Sequence, residues 1–176
     1  KRVAVIGGGP AGLSAAYYLK KQGHAVVIYE ALPYAGGMTR VGIPEYRLPR
    51  EIIEEEVNLI KEIGIEIITN KKIEKFETLL KDGYDAVLAA IGAHKGVRLP
   101  IEGNDLEGVL INSDFLRDVS LHENVKIGSK VVILGGGNVA FDCARTAVRL
   151  GAKEVHLACL ENEENIPASK EEVKAG

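Results

Sequence analysis

Glycines fall at Gly7, Gly9 and Gly12, and again at Gly135 and Gly137 with Ala140 in the third place. The spacings are G-x-G-x-x-G and G-x-G-x-x-A. In such a set the first glycine permits a tight turn, the second lets the backbone approach a pyrophosphate, and the third lets a helix pack closely on a sheet. The chemistry is recognition of a dinucleotide. A helix opening at the turn offers N–H groups and a partial positive charge to phosphates. An acid completes the first set: Glu30 lies 18 residues past Gly12, where a carboxylate can accept hydrogen bonds from ribose hydroxyls.

The surrounding elements must hold these residues in place. An apolar run, Val3 to Ile6, predicts a buried strand leading into the first turn. A helix from about Ala11 to Gln22 carries Leu13, Ala16 and Tyr17 on one face, with Gly23 as its stop. Ala25 to Tyr29 is apolar throughout, as a buried parallel strand should be. The second set is framed the same way. Lys130 to Leu134 predicts a strand, Val139 to Leu150 a helix stopped by Gly151, and Glu154 to Cys159 a further strand.

The intervening chain predicts a helix over Arg50 to Gly64, with a stripe of Ile53, Val57 and Ile60 widened by Ile52, Leu59 and Ile63. Strands follow over Ile65 to Thr69 and Tyr84 to Ile91, with a short helix at Phe76 to Lys81 between them. Residues 99–110 read as turns and short strands. Ser113 reads as the N-cap of a helix to about Val119, and a last helix is expected near Ser169. The fold class is α/β: two Rossmann-like units on parallel sheets, the second truncated because only two of its strands can be placed. Residues 1–123 are expected to form the first domain, 124–129 a linker and 130–176 the start of the second.

Residues 31–49 hold three prolines and three glycines. This stretch follows the second strand, at the edge of an open α/β sheet where ligands bind. A long loop with aliphatic and aromatic content at that edge predicts a ligand role.

Composition narrows the function classes. Net charge is −3 and the basic residues are scattered, which argues against a nucleic-acid partner. No apolar run reaches the length of a membrane span, and a strand beginning at Val3 predicts no signal peptide. The lone cysteines, Cys143 and Cys159, suit a reducing, cytoplasmic setting. They cannot supply a four-cysteine iron–sulfur cluster within this chain, nor a C-x-x-C redox pair. His24, His94, His122 and His156 lack metal-ligand spacing, so no metal is expected.

Two dinucleotide turns in one chain suggest two nucleotides, and hydride transfer between a nicotinamide and a flavin is the chemistry that needs them. The chain resembles the flavin- and pyridine-nucleotide-binding domains of the glutamate synthase small-subunit family, with related domains in dihydropyrimidine dehydrogenase. The resemblance rests on VAVIGGGPAGLSAAYYL (3–19), GGMTRVGIPEYRLP (36–49), YDAVLAAIGA (84–93), VVILGGGNVAFDCARTAVRLGA (131–152) and IPASKEEV (166–173). GIP-x-YRLP is its most diagnostic part.

The resemblance implies that the first unit binds FAD. Gly7, Gly9, Pro10, Ala11 and Gly12 would meet the pyrophosphate, and Glu30 the adenosine ribose. Gly37, Met38 and Arg47 would lie along the flavin half, Ile73 near the adenine, and Ala90 and Gly92 against the cofactor. Ile91 stands where the family usually has threonine. The second unit would bind the nicotinamide nucleotide through Gly135, Gly137, Asn138 and Val139. Asp142 is either a helix-dipole acid or a site residue.

Many relatives end the last strand of that unit with a tyrosine and two arginines that favour a 2′-phosphate. Cys159, Leu160 and Glu161 stand there. An acid at Glu161 would accept from a free 2′-OH and repel a phosphate, which predicts NADH over NADPH. The implied function is passage of hydride from nicotinamide to FAD and of electrons to an iron–sulfur partner. The strands that would complete both units are missing, so the chain is expected to be a fragment. A non-catalytic nucleotide-binding fragment is the alternative.

Overall fold

A computed structural model describes residues 1–162 and 164–175. The chain divides into two compact units, Lys1–Ala93 and His94–Gly176. In the first, β1 (Arg2–Ile6), α1 (Pro10–Lys21) and β2 (Ala25–Tyr29) form the opening β-α-β. Then come α2 (Met38–Val41), α3 (Arg50–Glu62), β3 (Glu66–Ile68), α4 (Phe76–Lys81) and β4 (Ala86–Ala89). The strands make one parallel sheet in the order β3-β2-β1-β4.

Alternate residues of this sheet feed two cores. Val5, Val26 and Ile28 pack with Ala16 of α1, Ile65 and the α3 residue Ile60. Ala4, Ile6 and Val27 pack on the opposite face with Leu79 of α4 and Tyr84. The central strands β1 and β2 are apolar on both faces because both faces are covered, whereas Ala86, Leu88 and Ala89 of the edge strand β4 are exposed. Only Ile53 and Val57 of α3 are fully buried. Ile52, Leu59 and Ile63, expected to widen that stripe, are exposed. They sit too far around the helix from the buried seam.

In the second unit, α5 (Asn112–Ser120), β5 (Lys130–Leu134), α6 (Asn138–Arg149), β6 (Glu154–Ala158) and α7 (Lys170–Ala175) follow in order. Strands β5 and β6 pair in parallel from Lys130↔Glu154 to Leu134↔Ala158. One face of the pair packs on α5 and α6 through Val131, Ile133 and Val155, against Phe115, Leu116, Cys143 and Ala147. On the other face Val132 and Leu134 are exposed.

Three further expectations differ from what is observed. Residues 94–123, assigned to the first unit, fall in the second, because Phe115 and Leu116 bury against Cys143 and Ala147. Residues 99–110 form turns without a strand. Ser113 is not the N-cap of α5; that position is Ile111, and Ser113 lies in the first turn with its N–H bonded to Asn112 Oδ1 at 2.8 Å.

Ile28 is fully buried at the centre of the first sheet. Replacing it with alanine should lower the unfolding free energy by about 2–5 kcal/mol. Urea denaturation followed by circular dichroism measures this, and a loss under about 1 kcal/mol would mean that the site collapses around the smaller side chain.

Candidate dinucleotide sites

The first site begins where β1 stops. Gly7 turns the chain with φ +105° and donates its N–H to the Tyr29 carbonyl at 2.8 Å. A Cβ there would fall 2.3 Å from the Ala90 carbonyl oxygen, and one on Gly12 would fall 1.9 Å from the Gly7 carbonyl oxygen. Neither position has room for a side chain. Strand, helix and the end of β4 therefore meet backbone to backbone, and Ala90 adds an N–H bond to Ile6 at 2.8 Å. Gly9 is the N-cap of α1 and has no side-chain cap; Pro10 fills the first helical position. Pro10 carries no N–H, so the donors that lack an intrahelical partner at this end come from Gly9, Ala11 and Gly12.

Glu30, 6% exposed, reaches back under the turn. Its Oε2 accepts from the Gly8 N–H at 2.6 Å and its Oε1 from the Leu32 N–H at 2.8 Å. Hydrogen bonds to a charged acceptor contribute about 1.5–3 kcal/mol each. A carboxylate has about four lone-pair sites, so these bonds leave acceptor capacity for ribose hydroxyls. Glu30 is thus first a strut of the turn.

The loop after β2 folds onto the same turn. Gly36 donates its N–H to the Gly8 carbonyl at 2.7 Å. Gly37, with φ +56°, packs its backbone on Gly9: a Cβ on Gly37 would lie 2.8 Å from the Gly9 Cα. The structure brings these two sequence-predicted residues together. Arg40 fastens the loop from outside, with its guanidinium 4.1 Å from the Tyr34 ring centre and an ion pair to Glu54 of α3 at 2.9 Å.

The other expected residues are more scattered. Met38 opens α2, and its Cε lies 2.5 Å from where a Cβ on Gly42 would be, so the side chain folds back on its own turn. Arg47 is exposed in a turn closed by its N–H to the Pro44 carbonyl. Ile73 is half-buried against the Leu79–Tyr84 core, on the rim of a cleft of about 810 Å³ that also takes in Tyr29 and Thr78. Gly92 has φ +67°, and the Ile91 side chain is exposed.

The second site repeats the first. Gly135 has φ +133° and donates to the Ala158 carbonyl at 2.8 Å, as Gly7 does to Tyr29. Gly137 is the N-cap of α6, followed by Asn138 and Val139. This turn is roomier. A Cβ on Gly135 would stand 3.9 Å from the Ala140 Cβ, which is why alanine suffices in the third place. Asn138 accepts at Oδ1 from the Ser169 N–H at 2.8 Å. Asp142 is buried in α6.

The paired registers align the strand ends: Ile6 faces Tyr29 and Leu134 faces Ala158. The residue in the position of Glu30 is therefore Cys159. Its Sγ donates to the Glu161 carbonyl at 3.4 Å, and Glu161 itself is exposed two residues further on. The acid expected to read the ribose is thus not level with Glu30 of the first unit.

Sequence reasoning missed the middle glycines, Gly8 and Gly136. A Cβ on Gly8 would crowd Glu30 Oε2 at 3.1 Å, and one on Gly136 would crowd Cys159 Cβ at 3.0 Å. The signal was present in both turns as G-G-G, where only the outer glycines had been given tasks. Among the described residues no cluster of three or more His, Cys, Asp or Glu could hold a metal, and no helix is long and apolar enough to cross a membrane.

A family model described as pyridine nucleotide-disulphide oxidoreductase matches residues 1–175. The NADP(+)-dependent formate dehydrogenase subunit beta of Moorella thermoacetica is 48% identical over 99% of this chain and 25% of its own length. The glutamate synthase [NADPH] small chain of Escherichia coli is 37% identical over 99% of this chain and 40% of its own. FprA from Mycobacterium tuberculosis, solved in complex with NADPH, superposes with a TM-score of 0.84 at 25% identity, over 98% of this chain and 46% of its own. The chain thus spans between a quarter and two fifths of these curated relatives, which include the small subunit it was expected to resemble.

Glu30→Gln keeps the shape of the side chain but replaces one acceptor oxygen with a donor. It should cost about 1.5–3 kcal/mol of stability and speed hydrogen exchange at the Gly8 amide; an unchanged Gly8 exchange rate would contradict the strut. Burial, with a smaller push from Asp142, raises the Cys143 thiol to about 12. Because the thiolate is the nucleophile, Cys143 should resist iodoacetamide at pH 8 in the folded protein and react once urea unfolds it. Equal rates in both states would contradict its burial.

Proposed function

Because the chain belongs to the pyridine nucleotide-disulphide oxidoreductase family, we propose that it is the nucleotide-binding module of a flavin-dependent oxidoreductase, moving hydride between a pyridine nucleotide and FAD and passing electrons to an iron–sulfur partner. The observation that carries this reading is the duplicated turn. Two β-α-β units each end a strand on a positive-φ glycine bonded to the neighbouring strand's last carbonyl.

FAD suits the first unit. Gly9 and Gly37 leave a backbone-lined approach to the start of α1 that side chains would fill, and Glu30 retains acceptor capacity beside it. In this reading Gly7, Gly9, Pro10, Ala11 and Gly12 hold the pyrophosphate and Glu30 the ribose. Gly37, Met38, Arg47, Ile73, Ala90 and Gly92 border the rest of the cofactor. Gly135, Gly137, Asn138 and Val139 hold the pyridine nucleotide. When bound, the flavin supplies hydride acceptance and one-electron release, chemistry that protein side chains lack. The chain's part is to bind, orient and shield.

The preference for NADH expected from Glu161 is not supported. The relatives described above are named for NADP(+) or NADPH, and Cys159 rather than Glu161 occupies the position of Glu30. We assign a pyridine nucleotide to the second unit, with its 2′ position lying towards Cys159. The chain's two cysteines cannot themselves build a four-cysteine cluster, so the iron–sulfur centre belongs to another domain or subunit. Free thiols at Cys143 and Cys159 fit a cytoplasmic setting.

The protein expressed from its complete gene should show a flavin absorption band that bleaches anaerobically with NADPH or NADH. A protein that takes up no FAD, or whose flavin neither nucleotide reduces, would contradict the proposal. Cys159→Glu, which puts an acid in the ribose-reading place, should shift the ratio of kcat/KM towards NADH by about tenfold, the discrimination worth roughly 1.4 kcal/mol. An unchanged ratio would move the 2′ position away from Cys159.

A further inference from the structure

IPASKEEV (166–173) has no task in the reading above, yet the second unit uses it as the first unit uses its cofactor-edge loop. In the first unit, Gly36 returns to donate an N–H to the middle glycine's carbonyl at 2.7 Å, and Ala35 covers Gly8 at 3.3 Å from an added Cβ. In the second, Ala168 donates to the Gly136 carbonyl at 2.9 Å, and Ile166 Cγ1 stands 3.0 Å from an added Cβ on Gly136. Each returning segment then opens a short helix, α2 at Met38 and α7 at Lys170. The return in the second unit also orients a site residue, since Ser169 N–H fixes the Asn138 carboxamide.

An ion pair away from the turn holds this return. Arg145 of α6 gives Nη1 to Glu172 Oε2 at 2.6 Å and Nη2 to the Glu172 carbonyl at 3.1 Å. The two side chains are only 18% and 13% exposed. Ser169 Oγ accepts the Glu172 N–H at 3.3 Å and so caps α7. Removing one partner of a pair this well sheltered costs far more than removing one from a solvated pair.

We propose that residues 166–172 form a wall of the pyridine-nucleotide site, and that Arg145 and Glu172, through their ion pair, are positioning residues for that nucleotide. The inference rests on the functional reading in taking the second turn to hold a pyridine nucleotide. Neither residue need touch the ligand. Their effect runs through Ser169 to Asn138 and through Ala168 to Gly136.

The test uses the protein expressed from its complete gene and measures equilibrium binding of NADP+ and NAD+ by calorimetry. Glu172→Gln should raise Kd by about tenfold, within the usual range for coupling between separated sites. KM for the reduced nucleotide should rise in step while kcat and the flavin content stay within about twofold, as for loss of uniform binding. Exchanging the charges, Arg145→Glu with Glu172→Arg, should restore part of the affinity. If Glu172→Gln fails to fold, Arg145→Lys takes its place; it keeps the charge, loses the second bond and should raise Kd by about threefold. Wild-type binding with unaltered variant binding overturns this inference alone. A wild-type protein that binds neither nucleotide overturns the functional reading and this inference with it.

Discussion

At the end of β1 three stretches of backbone meet with no space between them for a side chain. A Cβ on Gly7 would strike the Ala90 carbonyl, and one on Gly12 would strike the Gly7 carbonyl. This closeness lets α1 start directly over the strand end, aims its first N–H groups at the sheet edge, and brings β4 alongside β1. Everything else at the first site is arranged around that contact. Glu30 ties the middle of the turn from below, and the Gly36–Gly37 pair lies against it from the loop. Each bond is modest; their shared dependence on absent side chains makes the turn intolerant of change.

The second unit relaxes the same design. Ala140 is accommodated where Gly12 is required, and Cys159 stands where Glu30 stands. The acid strut is gone, and the returning segment at Ala168 and Ser169, fixed by Arg145 and Glu172, supplies bonds from the other side. Two turns of like geometry thus share a backbone return to the middle glycine's carbonyl, and differ in that only the first adds a buried carboxylate beneath it.

Much of this was legible in the residues. The glycine spacing, the apolar runs of β1, β2, β5 and β6, and the stripe of α1 read directly: steric closeness marks the glycines and two-faced burial marks β1 and β2, while β5 and β6 stay apolar although one face is exposed. Other features did not read. Ile52, Leu59 and Ile63 look like core residues but face solvent, since periodicity alone does not say how wide a covered face is. Ser113 has the chemistry of a cap, but the chain enters α5 two residues earlier, at Ile111. Glu161 looked like the ribose acid because it stands where many relatives of the resembled family carry an arginine that favours a 2′-phosphate. The strand register puts Cys159, two residues earlier, level with Glu30; register is a long-range property that local spacing does not encode. Gly8 and Gly136 were overlooked for a related reason: what crowds them, Ala35 and Ile166, comes back from far along the chain.

The central claim is that the two turns hold two different dinucleotides. A crystal structure of the protein expressed from its complete gene, grown with FAD and NADP+, tests it most directly. The account predicts FAD with its pyrophosphate at the start of α1 and its ribose on Glu30, and the pyridine nucleotide with its pyrophosphate at the start of α6. Either turn empty while its dinucleotide is bound elsewhere, or the same nucleotide on both, would contradict it.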